Sequence, residues 1–183
     1  MKPKIVIIGA GGHAKVICDA ILAKSDFEIV GFVDSTIPVG TVIMNNFKVI
    51  IEQNELTNLK KHADFFIIGI GNNKIREELY NKLKSFLKPT SIIHPTAFIA
   101  SNAIINSGTV CLANSIISAN CTIGENTIIN AGSIIDHESI IGNNVHISIG
   151  TLVGSNSIIG NNITTKIGQV YNSFSKAVKQ TYY

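Results

Sequence analysis

The sequence predicts two unlike parts in one chain: an α/β unit over residues 1–90, and a stack of very short parallel strands over 91–168, followed by an atypical tail at 169–183. Three observations predict this. Apolar runs of strand length alternate with amphipathic stretches through the first half. A glycine-rich turn, Gly9-Ala10-Gly11-Gly12, directly follows the first such run. In the second half an apolar residue returns at every sixth position.

The elements of the first part follow in order. Ile5-Val6-Ile7-Ile8 is a continuous apolar run, as expected for a strand buried on both faces of a parallel sheet. Helical spacing runs from about Ala14 to Leu22. Glu28 to Asp34 reads as a second strand and Phe65 to Ile70 as a third, ending in the turn Gly71-Asn72-Asn73. Lys74 to Phe86 places Ile75, Leu79, Leu83 and Phe86 at helical intervals. Strand, helix, strand, helix in this order predicts a small Rossmann-like unit.

The second part obeys a stricter rule. Positions 93, 99, 105, 111, 117, 123, 129, 135, 141, 147, 153 and 159 are all Ile except Cys111 and Val153. Three positions after most of them stands Asn or Gly, as at Asn102, Gly108, Asn114, Asn120, Asn126, Gly132 and Asn144. The next position is small in most hexads, as at Ala97, Ala103, Thr109, Ser115, Cys121 and Ser133. A six-residue unit suits a short strand plus a tight corner, and Asn and Gly tolerate the left-handed backbone a corner demands. Each coil then stacks its Ile on those above and below. A helix repeats every 3.6 residues and a sandwich strand alternates every two, so neither generates this pattern. The repeat is expected to stop after Thr164.

Composition narrows the function. Apolar residues make up 45% and charged residues 15%, which predicts a packed protein rather than a disordered one. The net charge of +3, without a basic cluster, gives no footprint for nucleic acid or for an anionic membrane surface. The three cysteines form no paired motif, so no disulfide framework and no metal site are expected, and a cytoplasmic location fits best. No stretch approaches the roughly 20 apolar residues of a membrane span, and the first apolar run is too short for a signal-peptide core.

Two short motifs carry chemistry. After a strand, glycines let the backbone approach a phosphate, and the following helix offers unpaired N–H groups. The same G-x-G-x-x-A spacing also fits a dinucleotide fingerprint, with Asp34 where a ribose-binding acid would stand. Equally, the glycines can serve close helix–sheet packing. The second motif is Asp136-His137-Glu138, inside the hexads. Imidazole is the side chain that ordinarily exchanges protons near neutrality, and an adjacent carboxylate can orient it.

The hexads resemble those of the hexapeptide-repeat acyltransferases, whose chain winds as a left-handed parallel β-helix. At three hexads per coil, the twelve hexads correspond to about four coils. The Rossmann-like unit together with the Gly-Gly-His loop resembles a narrower group, the sialic-acid O-acetyltransferases and the UDP-amino-sugar N-acetyltransferases of the bacillosamine pathway. The resemblance implies an acetyl-CoA-dependent sugar acetyltransferase of surface-glycan or glycoprotein sugar synthesis, needing no metal and working as a cytoplasmic homotrimer. Gly12, His13, Ala14, Lys15, Asp34, Ser35, Gly71 and Asn72 are implied to hold a UDP-linked amino sugar. His137 is implied to be the general base, Glu138 its partner, and Asn130 a neighbour of the acceptor. His146 and Ile167 are implied to contact acetyl-CoA, and a backbone N–H at Gly154 or Ser155 to steady the oxyanion.

The tail departs from the family, whose members continue for at least one more coil and close on a motif like Val-Gly-Val-Pro-Ala-Lys. Three readings follow: N-acetylation of the nucleotide-linked amine, O-acetylation of sialic acid or a related sugar, or a non-catalytic sugar-nucleotide-binding protein that has lost its CoA site.

Overall fold

The computed structural model describes residues 1–178. Its first part is built on one sheet. The strands β1 (Lys4–Ile8), β2 (Glu28–Asp34), β3 (Val42–Met44), β4 (Phe47–Glu52), β5 (Phe65–Ile68) and β6 (Lys88–Pro89) lie in the order β3-β4-β2-β1-β5-β6. All neighbours are parallel except β3 and β4, which form a hairpin. The helices are α1 (Gly12–Lys24) and α2 (Asn73–Leu83), with a 3₁₀ segment at Gln53–Lys61. The chain leaves β1 for β2 on one side and returns to β5 on the other. The loops after β1 and β5 therefore flank the switch point of the sheet, where open α/β sheets take ligands.

β1 is buried along Ile5 to Ile8, as a strand covered on both faces must be. Three strands were not expected. The hairpin turns on Asn45 and Asn46, both at positive φ, which is the backbone a two-residue hairpin needs. β6 is only two residues long and carries a proline. The expected third strand to Ile70 stops at Ile68, and Ile75 is exposed rather than in the core. The buried face of α2 is instead Arg76, Leu79, Tyr80 and Leu83.

The second part is a left-handed β-helix with three parallel sheets as faces. The first face carries Ile92–Ile93, Val110–Cys111, Ile128–Ile129 and His146–Ile147. The second carries Phe98–Ile99, Ile116–Ile117, Ile134–Ile135, Leu152–Val153 and Val170–Tyr171. The third carries Ile104–Ile105, Thr122–Ile123, Ile140–Ile141, Ile158–Ile159 and Lys176–Ala177. The inward residues from Cys111 to Ile159 form one buried column per face, each Ile contributing roughly 2 kcal/mol. Corners take left-handed backbone at Asn114, Asn120, Asn126, Gly132, Asn144, Gly150 and Asn156.

The small residue after each corner is more than small. The Thr109, Thr127, Ser139 and Ser157 hydroxyls donate to the carbonyls of Gly124, Gly142, Gly154 and Asn172 at 2.7–3.2 Å. All four also accept a backbone N–H from the coil above, at 3.1–3.3 Å: from Thr127 to Thr109, from Val145 to Thr127, from Ser157 to Ser139 and from Ser175 to Ser157. Buried hydroxyls are thereby satisfied at every level.

The expected end of the repeat after Thr164 is corrected. Thr164 bridges to His146, and Val170–Tyr171 and Lys176–Ala177 pair with the fourth coil. The hexad phase is unbroken, but its inward positions become Thr165, Tyr171 and Ala177, so the aliphatic signal vanishes while the coil continues. The helix thus has a fifth coil rather than about four. Only residues 179–183 of the expected tail lie outside the described residues.

The two parts share a core. Ile92, Val110 and Leu112 of the β-helix pack in one cluster with Ile5, Ile17 and Ile21. No helix among the described residues is long and apolar enough to cross a membrane.

Candidate active site

The residues singled out from the sequence fall into two clusters. The first lies at the junction of the two parts. Gly11, the N-cap residue of α1, supplies no capping side chain, and no acid stands in the first turn of the helix. A Cβ at Gly11 or Gly12 would meet nothing within 4 Å, so the first N–H groups of α1 open onto free space. The next two loop residues diverge. Lys15 is exposed, whereas Ala14 is fully buried. A Cβ on Gly69 would lie 2.6 Å from the Ala14 Cα, so both must be small for α1 to reach the sheet. The Ala14 side chain is therefore a packing element, while its backbone N–H belongs to the first turn of α1.

Asp34 is engaged within the fold. Its Oδ2 accepts the Ala10 N–H at 2.9 Å, and its Oδ1 accepts the Thr36 N–H, the Thr36 hydroxyl and the Ile37 N–H at 2.8–3.2 Å. Oδ1 is fully engaged, and Oδ2 takes one bond. Burial pushes its pKa up, but the bonds from Thr36, Ala10 and Ile37 outweigh that and hold it below the usual range. Asp34 fixes the glycine loop from beneath, and neighbouring Ser35 is exposed.

Asn72 caps α2 by accepting the Ile75 N–H at 3.1 Å. Beside it, Gly71, Asn73, Lys74, Glu77, Asn162 and Thr164 line a cavity of about 500 Å³ between α2 and the upper coils. The Gly71 carbonyl accepts from His146 Nδ1 at 3.3 Å, while His146 Nε2 faces the Asn130 amide at 3.2 Å. The neutral imidazole that donates from Nδ1 satisfies both contacts. His13 lies beside it, ring centroids 6.0 Å apart, and its buried Nε2 has no hydrogen-bond partner among the described residues.

Arg76 was missed in the sequence because a lone Arg in an amphipathic helix usually faces water. Here it is 1% exposed. It donates to the carbonyls of Ile70 and Gly71 and to Asn73 Oδ1 on one side of the junction. On the other it donates to the carbonyls of Asn126, Asn144 and Val145. Burial pulls its pKa down to about 10, against the favourable charge of Glu77. Burial, then His146 and Arg76, push His13 down to about 4. His146 is lowered by burial and Arg76, against its bond to Gly71. The junction thus holds one buried cation and two imidazoles kept neutral.

The second cluster sits on the corner between the second and third faces. His137 Nδ1 lies 3.2 Å from Glu138 Oε2, and its Nε2 is 4.0 Å from Asp136 Oδ2. Asp136 Oδ1 accepts the His137 N–H at 2.8 Å. All three side chains are about half exposed. Glu138 occupies a corner position at φ 61, where the neighbouring coils use Asn or Gly. A Glu held in left-handed backbone costs about 1–2 kcal/mol, and such strain gathers at functional sites.

One coil above, the Gly154 N–H is committed to the Tyr171 carbonyl at 2.8 Å, which removes Gly154 as an oxyanion donor. Ser155 stands one coil above His137, and its hydroxyl bonds to Ser173 at 3.0 Å. Ile167 is 76% exposed. His94 is tied to Thr96 at 2.9 Å and has a structural role. Cys111 and Cys121 are buried, and burial pushes Cys111 up to about 12. Among the described residues, no group of three or more His, Cys, Asp or Glu could hold a metal ion. No hydrogen bond or ring contact among them joins the two clusters.

Comparison with known proteins places this geometry. The family described as the PglD N-terminal domain matches residues 4–83, and that described as the GMPPB C-terminal domain matches residues 75–183. The UDP-N-acetylbacillosamine N-acetyltransferase of Bacillus subtilis (strain 168) is 32% identical over 123 residues, 60% of this chain and 51% of the relative. The match therefore spans about half of that protein. The acetyltransferase domain of PglB from Neisseria gonorrhoeae FA1090, solved with acetyl coenzyme A, is 27% identical with a TM-score of 0.74, covering 97% of this chain and 89% of the other. A perosamine N-acetyltransferase from Caulobacter crescentus, solved with CoA and GDP-perosamine, has a TM-score of 0.84 at 22% identity, covering 95% of this chain and 90% of the other. The last likeness is one of fold.

Proposed function

This chain belongs to the hexapeptide-repeat acyltransferases, its coils within the GMPPB C-terminal domain family and its first part matching the PglD N-terminal domain, and from that premise we propose that it moves acetyl from acetyl-CoA to the amine of a UDP-linked amino sugar. The observation that carries the reading is the His137–Glu138 pair, 3.2 Å apart on a strained corner. Nδ1–H donates to Glu138, which leaves the Nε2 lone pair to receive a proton.

The amine nitrogen attacks the thioester carbonyl directly. Nε2 takes the proton that this nitrogen must lose, and Glu138 stabilises the resulting imidazolium. In this reading the Ser155 N–H steadies the oxyanion. The C–S bond then breaks, the carbonyl re-forms as an amide, and the proton passes from His137 to the departing CoA sulfur. No enzyme thiol takes part, consistent with the burial of Cys111 and Cys121.

The nucleotide is held by the first part. The open N-terminus of α1 receives the diphosphate, His13 Nε2 offers an unpaired polar atom, and Gly71 and Asn72 border the cavity that receives the rest of the substrate. The 32% identical relative acts on a UDP-linked sugar, whereas the Caulobacter structure holds a GDP-linked one. The fifth coil supports a working CoA site over a lost one.

Two further parts of the reading concern assembly and location. Phe98, Ile134, Leu152 and Val170 form an outward apolar column on the second face, 36–61% exposed. A column of that kind marks a contact surface. A homotrimer covers it, and neighbouring copies complete the His137 corner with the CoA groove containing His146 and Ile167. The location is cytoplasmic, in keeping with three unpaired cysteines.

The test is thiol release from acetyl-CoA with a UDP-linked 4-amino sugar, a GDP-linked 4-amino sugar and free sialic acid supplied in turn. Release with the UDP-linked amine alone is expected. Preference for the GDP-linked amine would correct the nucleotide, and release only with sialic acid would replace the amine by a hydroxyl.

A further inference from the structure

We propose that Asn156 is a positioning residue for the His137–Glu138 pair, acting through the carboxylate of Glu138; the inference rests on the acetyl-transfer reading above. Asn156 stands eighteen residues after Glu138, so the two occupy the same corner one coil apart. Its Nδ2 donates to Glu138 Oε2 at 3.2 Å, the same oxygen that faces His137 Nδ1 at 3.2 Å. Its backbone N–H donates to the His137 carbonyl at 3.0 Å. Asn156 therefore grips both members of the pair, one through its side chain and the other through its main chain.

The rest of the solenoid shows what this corner would otherwise be. Asn102 donates to Asn120 Oδ1 at 2.6 Å, and Asn126 donates to Asn144 Oδ1 at 2.8 Å, each pair separated by one coil. Those contacts are amide to amide. At Glu138 the ladder meets a carboxylate, and the bond becomes charge-assisted and stronger. A corner needs only left-handed backbone, which Gly supplies at Gly132 and Gly150. The Asn156 side chain is thus unnecessary to the fold of its corner, where φ is 56. What it adds is a fixed direction for Oε2. A half-exposed Glu has several rotamers, and in most of them the oxygen leaves His137. Holding it keeps Nδ1–H engaged and Nε2 turned toward the acceptor.

The experiment uses Asn156→Gly, which removes the amide and keeps the corner. Turnover is measured with acetyl-CoA and the UDP-linked 4-amino sugar, alone and in a Glu138→Gln background, with His137→Ala alongside. The inference expects kcat to fall about 10-fold, the scale of one hydrogen bond to a charged group, with both KM values and the melting temperature held. In the Glu138→Gln background the same change is expected to cost little more, because the carboxylate it orients is gone. An unchanged kcat overturns the inference, as does a loss of the same factor in both backgrounds, and in either case the reading of His137 stands. Full activity in His137→Ala or Glu138→Gln sinks that reading itself and the inference with it.

Discussion

Replacing Glu138 by Asn is expected to stabilise the protein and slow it. Glu138 sits at φ 61, in a column of corners otherwise built from Asn or Gly until Phe174. Relief of a non-glycine residue from left-handed backbone is worth about 1 kcal/mol once Asn, which tolerates that region, stands there. Asn also restores the amide ladder seen at 2.6 Å between Asn102 and Asn120, so the bond from Asn156 keeps a partner. For a chain of this length, 1 kcal/mol raises the melting temperature by about 2–4 °C. The carboxylate that orients His137 is lost at the same time, and turnover falls by about 10- to 100-fold. Thermal unfolding followed by circular dichroism reads the first effect and thiol release reads the second. A variant that melts below the native protein would refute the strain at this corner. A more stable variant with undiminished turnover would refute the idea that the strain serves catalysis.

Two other outcomes follow from the junction. Arg76→Met removes the donors that serve three carbonyls of the β-helix and two of the loop after β5, and a loss of ~3 kcal/mol is expected from the orphaned acceptors, measured as a lower urea midpoint. His13 is held neutral, its pKa lowered from 6.5 to about 4. The unfolded chain therefore binds a proton that the folded chain refuses. Stability is intact above pH 6.5 and falls between there and pH 4, by up to about 3 kcal/mol. Urea midpoints taken across that window are expected to drop with acid, and His13→Ala to remove most of the slope.

Much of this was legible in the sequence, and the omissions have physical causes. The Ile column announced the coils because an inward position admits little else while neighbours above and below are also Ile. The same rule hid the fifth coil, where Thr165, Tyr171 and Ala177 fill the inward places near the open end. The hydroxyls of Thr109, Thr127, Ser139 and Ser157 looked merely small, yet their bonds to the next coils are what make small polar residues suitable there. The resemblance implied Asp34 and Ala14 as ligand contacts, but it did not reveal that the Asp34 carboxylate holds the glycine loop or that the Ala14 methyl packs α1 against the sheet. Arg76 left no signal, since its partners are carbonyls brought near only by the docking of the two parts.

The measurement that tests the account most directly is acceptor-dependent CoA release by His137→Ala against the native protein. The account predicts a fall of about 100-fold, the usual scale for a general base, at an unchanged melting temperature, since His137 is half exposed and supports no core. Release at the native rate from the folded variant would contradict it, and would move the chemistry away from the Asp136-His137-Glu138 corner.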